Sequence, residues 1–330
     1  MIKFSRFSLK WALTLSFLML TFSGCGNKEK IIVLKLGHGL DVTHPVHKAM
    51  EYMAENVAKN SKGKARIDIY PSEQLGSERE LIEQLQLGSV AMTKTSTSPL
   101  ESFIPAMSVY SIPYLFRDEE HAWNVFLGDI GKRILKKGEA KGLKGLCYYD
   151  AGFRSFYMRD LPINSPEDLK GKKIRVQKSK TSMKTIEVLG ASPTPIDWGE
   201  LYTALAQGMV DGAENNPPSF ETSKHYETCK FYSLDEHTGP PDVLLVSVKW
   251  WNKLPDDIKT IIQKAADSSS VYERKLWKER SKSSLAVAEA AGVRINRPDK
   301  KAFREKVAPM YEEYNGTEIG ELIERIKAVE

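Results

Sequence analysis

Cysteine is scarce, at three in 330 residues, which is too few to staple a disulfide scaffold. An excess of charge of one sign is also missing. The chain has 48 lysines and arginines against 43 acids, a net charge of +5. Three of the cations, Lys3, Arg6 and Lys10, lie in residues 1–24, which hold no acid, so the remainder carries only +2. That balance excludes the basic face a nucleic-acid-binding protein needs. Long apolar runs are absent as well. Trp11–Phe22 is the most apolar stretch and has twelve residues, whereas a helix crossing a bilayer core needs ~20. There is no repeat at a period of roughly 20–50 residues and no low-complexity tract. The sequence carries no Gly-x-Ser-x-Gly elbow, no phosphate loop and no zinc-protease helix motif. What remains is 41% hydrophobic, 28% charged and 9% aromatic, enough for a sizeable core and about two domains.

The first residues read as an address. Cations in Met1–Lys10 precede the apolar run, and Phe22-Ser23-Gly24-Cys25 follows it. This arrangement fits a secretory leader, and its end resembles the lipobox of bacterial lipoproteins. That resemblance implies cleavage before Cys25 and diacylation of its thiol. Residues 1–24 would be the signal and 25–30 a polar tether, leaving a periplasmic, membrane-anchored body. An ordinary signal with an unrelated cysteine is the alternative. Cys147 lies in the apolar run Leu146-Cys147-Tyr148-Tyr149, which suits a buried thiol; pairing with Cys229 stays open.

Ile31–Leu36, Ala65–Tyr70 and Leu143–Tyr149 read as strands. Between the first two, Pro45 opens a helix with Val46, Met50, Met53 and Val57 on one side. Ser77-Glu78-Arg79-Glu80 is a capping-box pattern whose helix stops at Gly88. Glu119–Lys137 reads as one helix. A second unit follows, with strands Lys172–Gln177 and Met209–Ala213, a helix Thr181–Leu189, and another capping box at Asp197-Trp198-Gly199-Glu200. Asp242–Val248 returns as a strand, and Ile258–Ala291 is a long helix able to brace two domains. Strands alternating with helices predict an α/β protein with largely parallel sheets.

Arg175 is the most informative residue. In Lys173-Ile174-Arg175-Val176-Gln177 the two-residue period of a strand puts Ile174 and Val176 on one face and Arg175 on the other. Open α/β sheets bind ligands beyond the carboxyl ends of their strands. A guanidinium there presents a planar fork that matches a carboxylate.

Six segments then appear in order: Lys30–Tyr70, Pro71-Ser72-Glu73-Gln74-Leu75-Gly76, Pro166–Val176, Gly190–Pro195, Glu200-Leu201-Tyr202-Thr203-Ala204-Leu205 and Val210-Asp211-Gly212-Ala213-Glu214-Asn215. Together they resemble the substrate-binding proteins of tripartite ATP-independent periplasmic (TRAP) transporters, the DctP-type family, across essentially the whole chain after the leader. The resemblance implies a two-lobed periplasmic-binding-protein-like α/β fold with a long bracing helix and a ligand cleft between the lobes. Residues 31–152 with 241–280 would form lobe I and part of the brace, and 153–240 with 281–330 lobe II. It also implies a receptor, monomeric and without cofactor, that closes on a small carboxylate and delivers it to membrane permease subunits. The family's carboxylate-binding arginine falls on Arg175, its second arginine on Arg154 in Gly152-Phe153-Arg154, its asparagine on Asn215 and its aromatic on Trp198.

Other candidates are Glu78, Asp235 and His237 for sugar hydroxyls, Lys94 for a second positive charge, and His38 and His44 in the loop after the first strand. With His47 these histidines match no common structural-zinc spacing, and Pro45 interrupts them, so no metal is assigned. Gly37–Asp41, Asn215–Phe220 and Leu234–Thr238 resemble the uronate-binding branch of the family. The expected ligand is therefore a sugar acid such as glucuronate or galacturonate. A C4-dicarboxylate or aldonate receptor is the alternative. An extracytoplasmic enzyme acting on acidic sugars, or a scaffold lipoprotein, would belong to other classes.

Overall fold

The computed structural model describes residues 31–330; the leader and tether, with Cys25, lie outside the described residues. Two mixed sheets form two lobes. The first has five strands in the order β2-β1-β3-β10-β4, where β1 is Ile32–Gly37, β2 Ala65–Tyr70, β3 Met92–Ser96, β4 Leu143–Tyr149 and β10 Asp242–Ser247. The second has six in the order β11-β9-β5-β8-β6-β7, where β5 is Arg154–Met158, β6 Lys173–Val176, β7 Ser192–Pro195, β8 Gly212–Asn215, β9 Phe231–Thr238 and β11 Arg294–Asn296.

The sheets are less parallel than the alternation of elements suggests. β10 runs antiparallel to β3 and β4, and β5 runs antiparallel to β8 and β9. The reason is the chain path: β4 leads directly to β5 in the other lobe, and β9 leads back to β10. A strand entering a sheet from the cleft side runs against strands that end there.

Local signals explain the helices that frame the cleft. Pro45–Asn60 starts where the His44 ring accepts the Val46 N–H, and it buries Val46, Ala49, Met50, Met53 and Val57. The helix Glu78–Leu87 has its capping box, with Glu80 accepting the Ser77 N–H at 2.8 Å, and ends at Gly88 with φ +82°. The stretch Glu119–Lys137 is two helices, Glu119–Leu127 and Asp129–Lys137, because extended Gly128 caps the end of one and the start of the next.

One helix of 35 residues, Asp256–Ala290, runs through both lobes. Its Ile258, Ile262, Ala265 and Ala266 enter the first lobe's core with Leu34, Met50 and Leu244, and its Ala288 enters the second lobe's core with Tyr157 and Tyr232. The final helix, Glu318–Lys327, departs from the expected placement of 281–330 in lobe II. Its Leu322, Ile323 and Ile326 form an apolar stripe that packs with Leu81, Tyr110 and Phe126 of lobe I. Cys147 and Cys229 are buried and free, one in each lobe. Among the described residues no helix is long and apolar enough to cross a membrane.

Candidate functional site

The carboxyl end of β3 and the start of β10 in the first lobe face the carboxyl ends of β6 and β8 and the start of β5 in the second, across a cleft that encloses about 500 Å³, open solvent included. Seven of the ten side chains expected to bind ligand line it: Arg175, Arg154, Asn215, Glu78, Trp198, His44 and Lys94. The lobes touch across it through His44 Nε2 and Ser219 Oγ at 3.2 Å, and through Ser96 Oγ, which donates to Gln177 Oε1 at 3.4 Å.

Arg175 stands on the face of β6 opposite Ile174 and Val176, and it is 3% exposed. Its Nε donates to the Ile196 carbonyl at 2.9 Å, and Trp198 lies 5.6 Å from the guanidinium carbon. Its Nη1 is buried with no hydrogen-bond partner. Among the described residues no carboxylate forms an ion pair with it. Burial accordingly pulls its pKa below the ordinary value. A buried donor without an acceptor is expensive, and a cation in that state calls for an anion.

Arg154 is different. Its Nε and Nη2 donate to the Glu214 carboxylate, Nη2 also to the Glu214 carbonyl at 2.7 Å, and Nη1 to Asn215 Oδ1 at 2.9 Å. Of the five guanidinium N–H groups one is left for the cavity. Burial works to raise the Glu214 carboxyl, but Arg154 and His237 outweigh it and hold it at about 2. Asn215 Oδ1 also accepts the Asn216 N–H at 2.9 Å, which fixes the amide with its NH₂ side unspent.

On the opposite wall Lys94 Nζ donates to Asp242 at 2.9 Å and to Glu78 at 3.5 Å. Burial works to lower its pKa, and the two carboxylates outweigh it and raise it. Glu78 also accepts the Ser96 N–H at 3.0 Å. The positive charge on this wall is therefore met within the protein. His44 accepts the Val46 N–H at Nδ1, so Nε2 carries the proton and donates to Ser219; burial lowers its pKa well below the usual value, keeping the ring neutral.

Three expected residues lie elsewhere. His38 turns back into lobe I: it accepts the Leu40 N–H and meets His47 at 3.0 Å. Asp235 and His237 sit behind Arg154, not on the cavity wall. β9 continues through Thr238 instead of ending near Leu234, so these alternate side chains point into the layer below the site. Asp235 accepts the Phe156 N–H at 3.1 Å and pairs with His237 Nδ1 at 2.8 Å. Burial opposes protonation of His237, yet Asp235 and Glu214 raise its pKa to about 9, making it an imidazolium between two acids. Among the described residues no cluster of His, Cys, Asp or Glu is arranged to hold a metal ion.

The cavity also recruits side chains that the sequence reading passed over: Gln177, Ser96, Asn216, Ser219, Asp242 and Trp277. Gln177 was legible, being two residues beyond Arg175 on the same strand face. Trp277 was not, because its place depends on how the bracing helix rotates against both lobes.

The bacterial extracellular solute-binding protein family 7 matches residues 36–317. A TRAP periplasmic solute-binding protein from Xanthobacter autotrophicus Py2, solved with β-D-galacturonate, is 40% identical over 90% of this chain and all of its own, with a TM-score of 0.87. One from Roseobacter denitrificans, solved with β-D-glucuronate, is 36% identical over the same shares at the same TM-score. A third, from Polaromonas sp. JS666 bound to D-erythronate, is 36% identical over 91% of this chain and 99% of its own, with a TM-score of 0.88.

Proposed function

This chain belongs to the family 7 extracellular solute-binding proteins and is the solute-binding component of a TRAP transporter; from that premise we propose that its cargo is a hexuronate, D-galacturonate or D-glucuronate. One observation carries the reading. A buried guanidinium, Arg175, lines the cleft with Nη1 unpartnered, in a fold whose relatives at 36–40% identity hold uronates. We assign the ligand carboxylate to Arg175, with the remaining N–H of Arg154 and the Asn215 amide as its supports.

The opposite wall suits the sugar ring. Glu78 and Asp242 offer acceptor oxygens to hydroxyls, and Lys94, already neutralised by them, is a poor anchor for a second carboxylate. This disfavours a C4-dicarboxylate. A short aldonate such as erythronate, held by a relative, is the second reading, since it has the same carboxylate and fewer hydroxyls to satisfy. The groups in the cleft favour a receptor over an enzyme. Glu214 is held ionised by Arg154, and Asp242 and Glu78 are tied to Lys94 and the Ser96 N–H, which leaves no carboxyl pair free for acid and base roles.

Ligand touching both lobes stabilises the closed form over the open one. At ~100 times its dissociation constant it adds about 2.7 kcal/mol to stability. A thermal-shift and calorimetric panel of D-galacturonate, D-glucuronate, D-erythronate and succinate tests the assignment. The hexuronates are expected to bind tightest; succinate binding above all would refute it. Arg175→Lys is expected to bind poorly, because a point charge does not reproduce the fork. For the anchor, we propose lipidation at Cys25, which mass spectrometry of membrane fractions would detect as an acylated N-terminal cysteine.

A further inference from the structure

We propose that Glu73 is a positioning residue: a latch reaching from lobe I to the start of the lobe II helix that carries Trp198, and so setting how long the cleft stays closed on its ligand. This deepens the receptor reading and rests on it.

Glu73 lies in the loop after β2. Ser72 and Glu73 have φ of 51° and 58°, a left-handed pair that non-glycine residues adopt only at a cost and that local strain of this kind often reserves for function. The bend sends the side chain across the cleft mouth. Its Oε2 lies against the backbone of Gly199, second residue of the helix Trp198–Ala206. A negative group there also complements the helix dipole.

The surroundings are shaped to receive it. A Cβ at position 199 would overlap Glu73 Oε2, and one at position 39 would press on its Cγ at 3.3 Å. Gly199 has an ordinary helical backbone, so contact with Glu73 is what a side chain there would disturb. Oε1 is buried with no partner. Burial raises the carboxyl's pKa, Glu78 and Asp197 add to that, and the Gly199 N–H and Arg175 oppose it. The latch's effect reaches the ligand through Trp198, whose ring lies against both Arg175 and the cavity.

The test is stopped-flow dissociation of D-galacturonate and D-glucuronate, followed by tryptophan fluorescence. Glu73→Ala is expected to speed dissociation about tenfold, the worth of one buried hydrogen bond. Glu73→Gln, which keeps an acceptor, stays within about threefold of wild type. Gly199→Ala displaces the carboxylate and matches Glu73→Ala. The double variant is no faster than either single, because one contact can be lost only once. Unchanged dissociation in Glu73→Ala, or a double variant near the product of the singles, overturns the latch. A wild type that binds neither sugar overturns the ligand assignment instead. Small-angle scattering of ligand-free protein then decides the latch: Glu73→Ala must raise the radius of gyration, and an unchanged value refutes it.

Discussion

Two arginines a strand apart illustrate opposite uses of the same side chain. Arg154 spends four of its five N–H groups on Glu214 and Asn215, so most of its work is internal: it fixes the asparagine and completes a buried chain of charges through Glu214, His237 and Asp235. Arg175 has a single protein acceptor, the Ile196 carbonyl, and a bare Nη1. The contrast teaches that burial alone does not mark a ligand-binding cation. The mark is a buried cation whose counter-charge the protein does not supply.

Substituting each arginine in turn is the sharpest way to break that contrast. Arg154→Ala strips buried Glu214 of its closer cation, leaving only His237 beside it, and is expected to lower folding stability by roughly 3–5 kcal/mol, read by urea unfolding. Arg175→Ala strands nothing. Its unliganded stability is expected to equal or exceed wild type, while affinity for the hexuronate falls by roughly 2–5 kcal/mol in calorimetry. If both variants lose stability alike, the distinction is wrong.

The charge chain behind Arg154 gives a pH signature that Arg175 lacks. His237 titrates at about 9 in the folded protein against about 6.5 when unfolded. A raised folded pKa means its contribution, on the order of 3 kcal/mol, is complete below about 6.5 and is lost as pH rises through 9. Unfolding midpoints at pH 6.5 and 10 should therefore diverge in wild type and converge in His237→Gln. Equal divergence in both would remove His237 from the chain.

Smaller effects grade the ligand side. Asn215→Ala is expected to weaken binding by roughly 1–3 kcal/mol, since it removes a donor and frees Arg154 to reorient. Gln177→Ala, removing a contact that also bridges to Ser96, is expected to cost about 1 kcal/mol or less. Calorimetric titration of each orders them; a Gln177 effect larger than the Asn215 effect would move the sugar toward β6.

The residues legible in the sequence were those whose direction follows from local periodicity. Arg175 could be aimed because Ile174 and Val176 had to face a core, and the capping-box patterns marked where Glu78 and Trp198 begin their helices, although only Ser77 forms its box and Asp197 instead pairs with Lys178. β5 was hidden, since its Arg-Ser-Phe-Tyr-Met is buried throughout and shows no alternation. Asp235 and His237 read as loop residues after a strand, because two charged groups seldom enter a sheet interior. Only their pairing with each other and with Glu214 permits it, and that pairing is tertiary. Lys94 was found as a cation, but its neutralisation by Asp242, 148 residues away, was beyond reach of any local pattern.

The bracing helix has a consequence for motion. At about 1.5 Å per residue its 35 residues form a shaft some 50 Å long, seated at one end in each hydrophobic core. Such a shaft ties the halves together at a fixed spacing along its length. Dye pairs placed along the shaft would barely register capture of cargo, while a pair facing each other over the entrance would register nearly all of it.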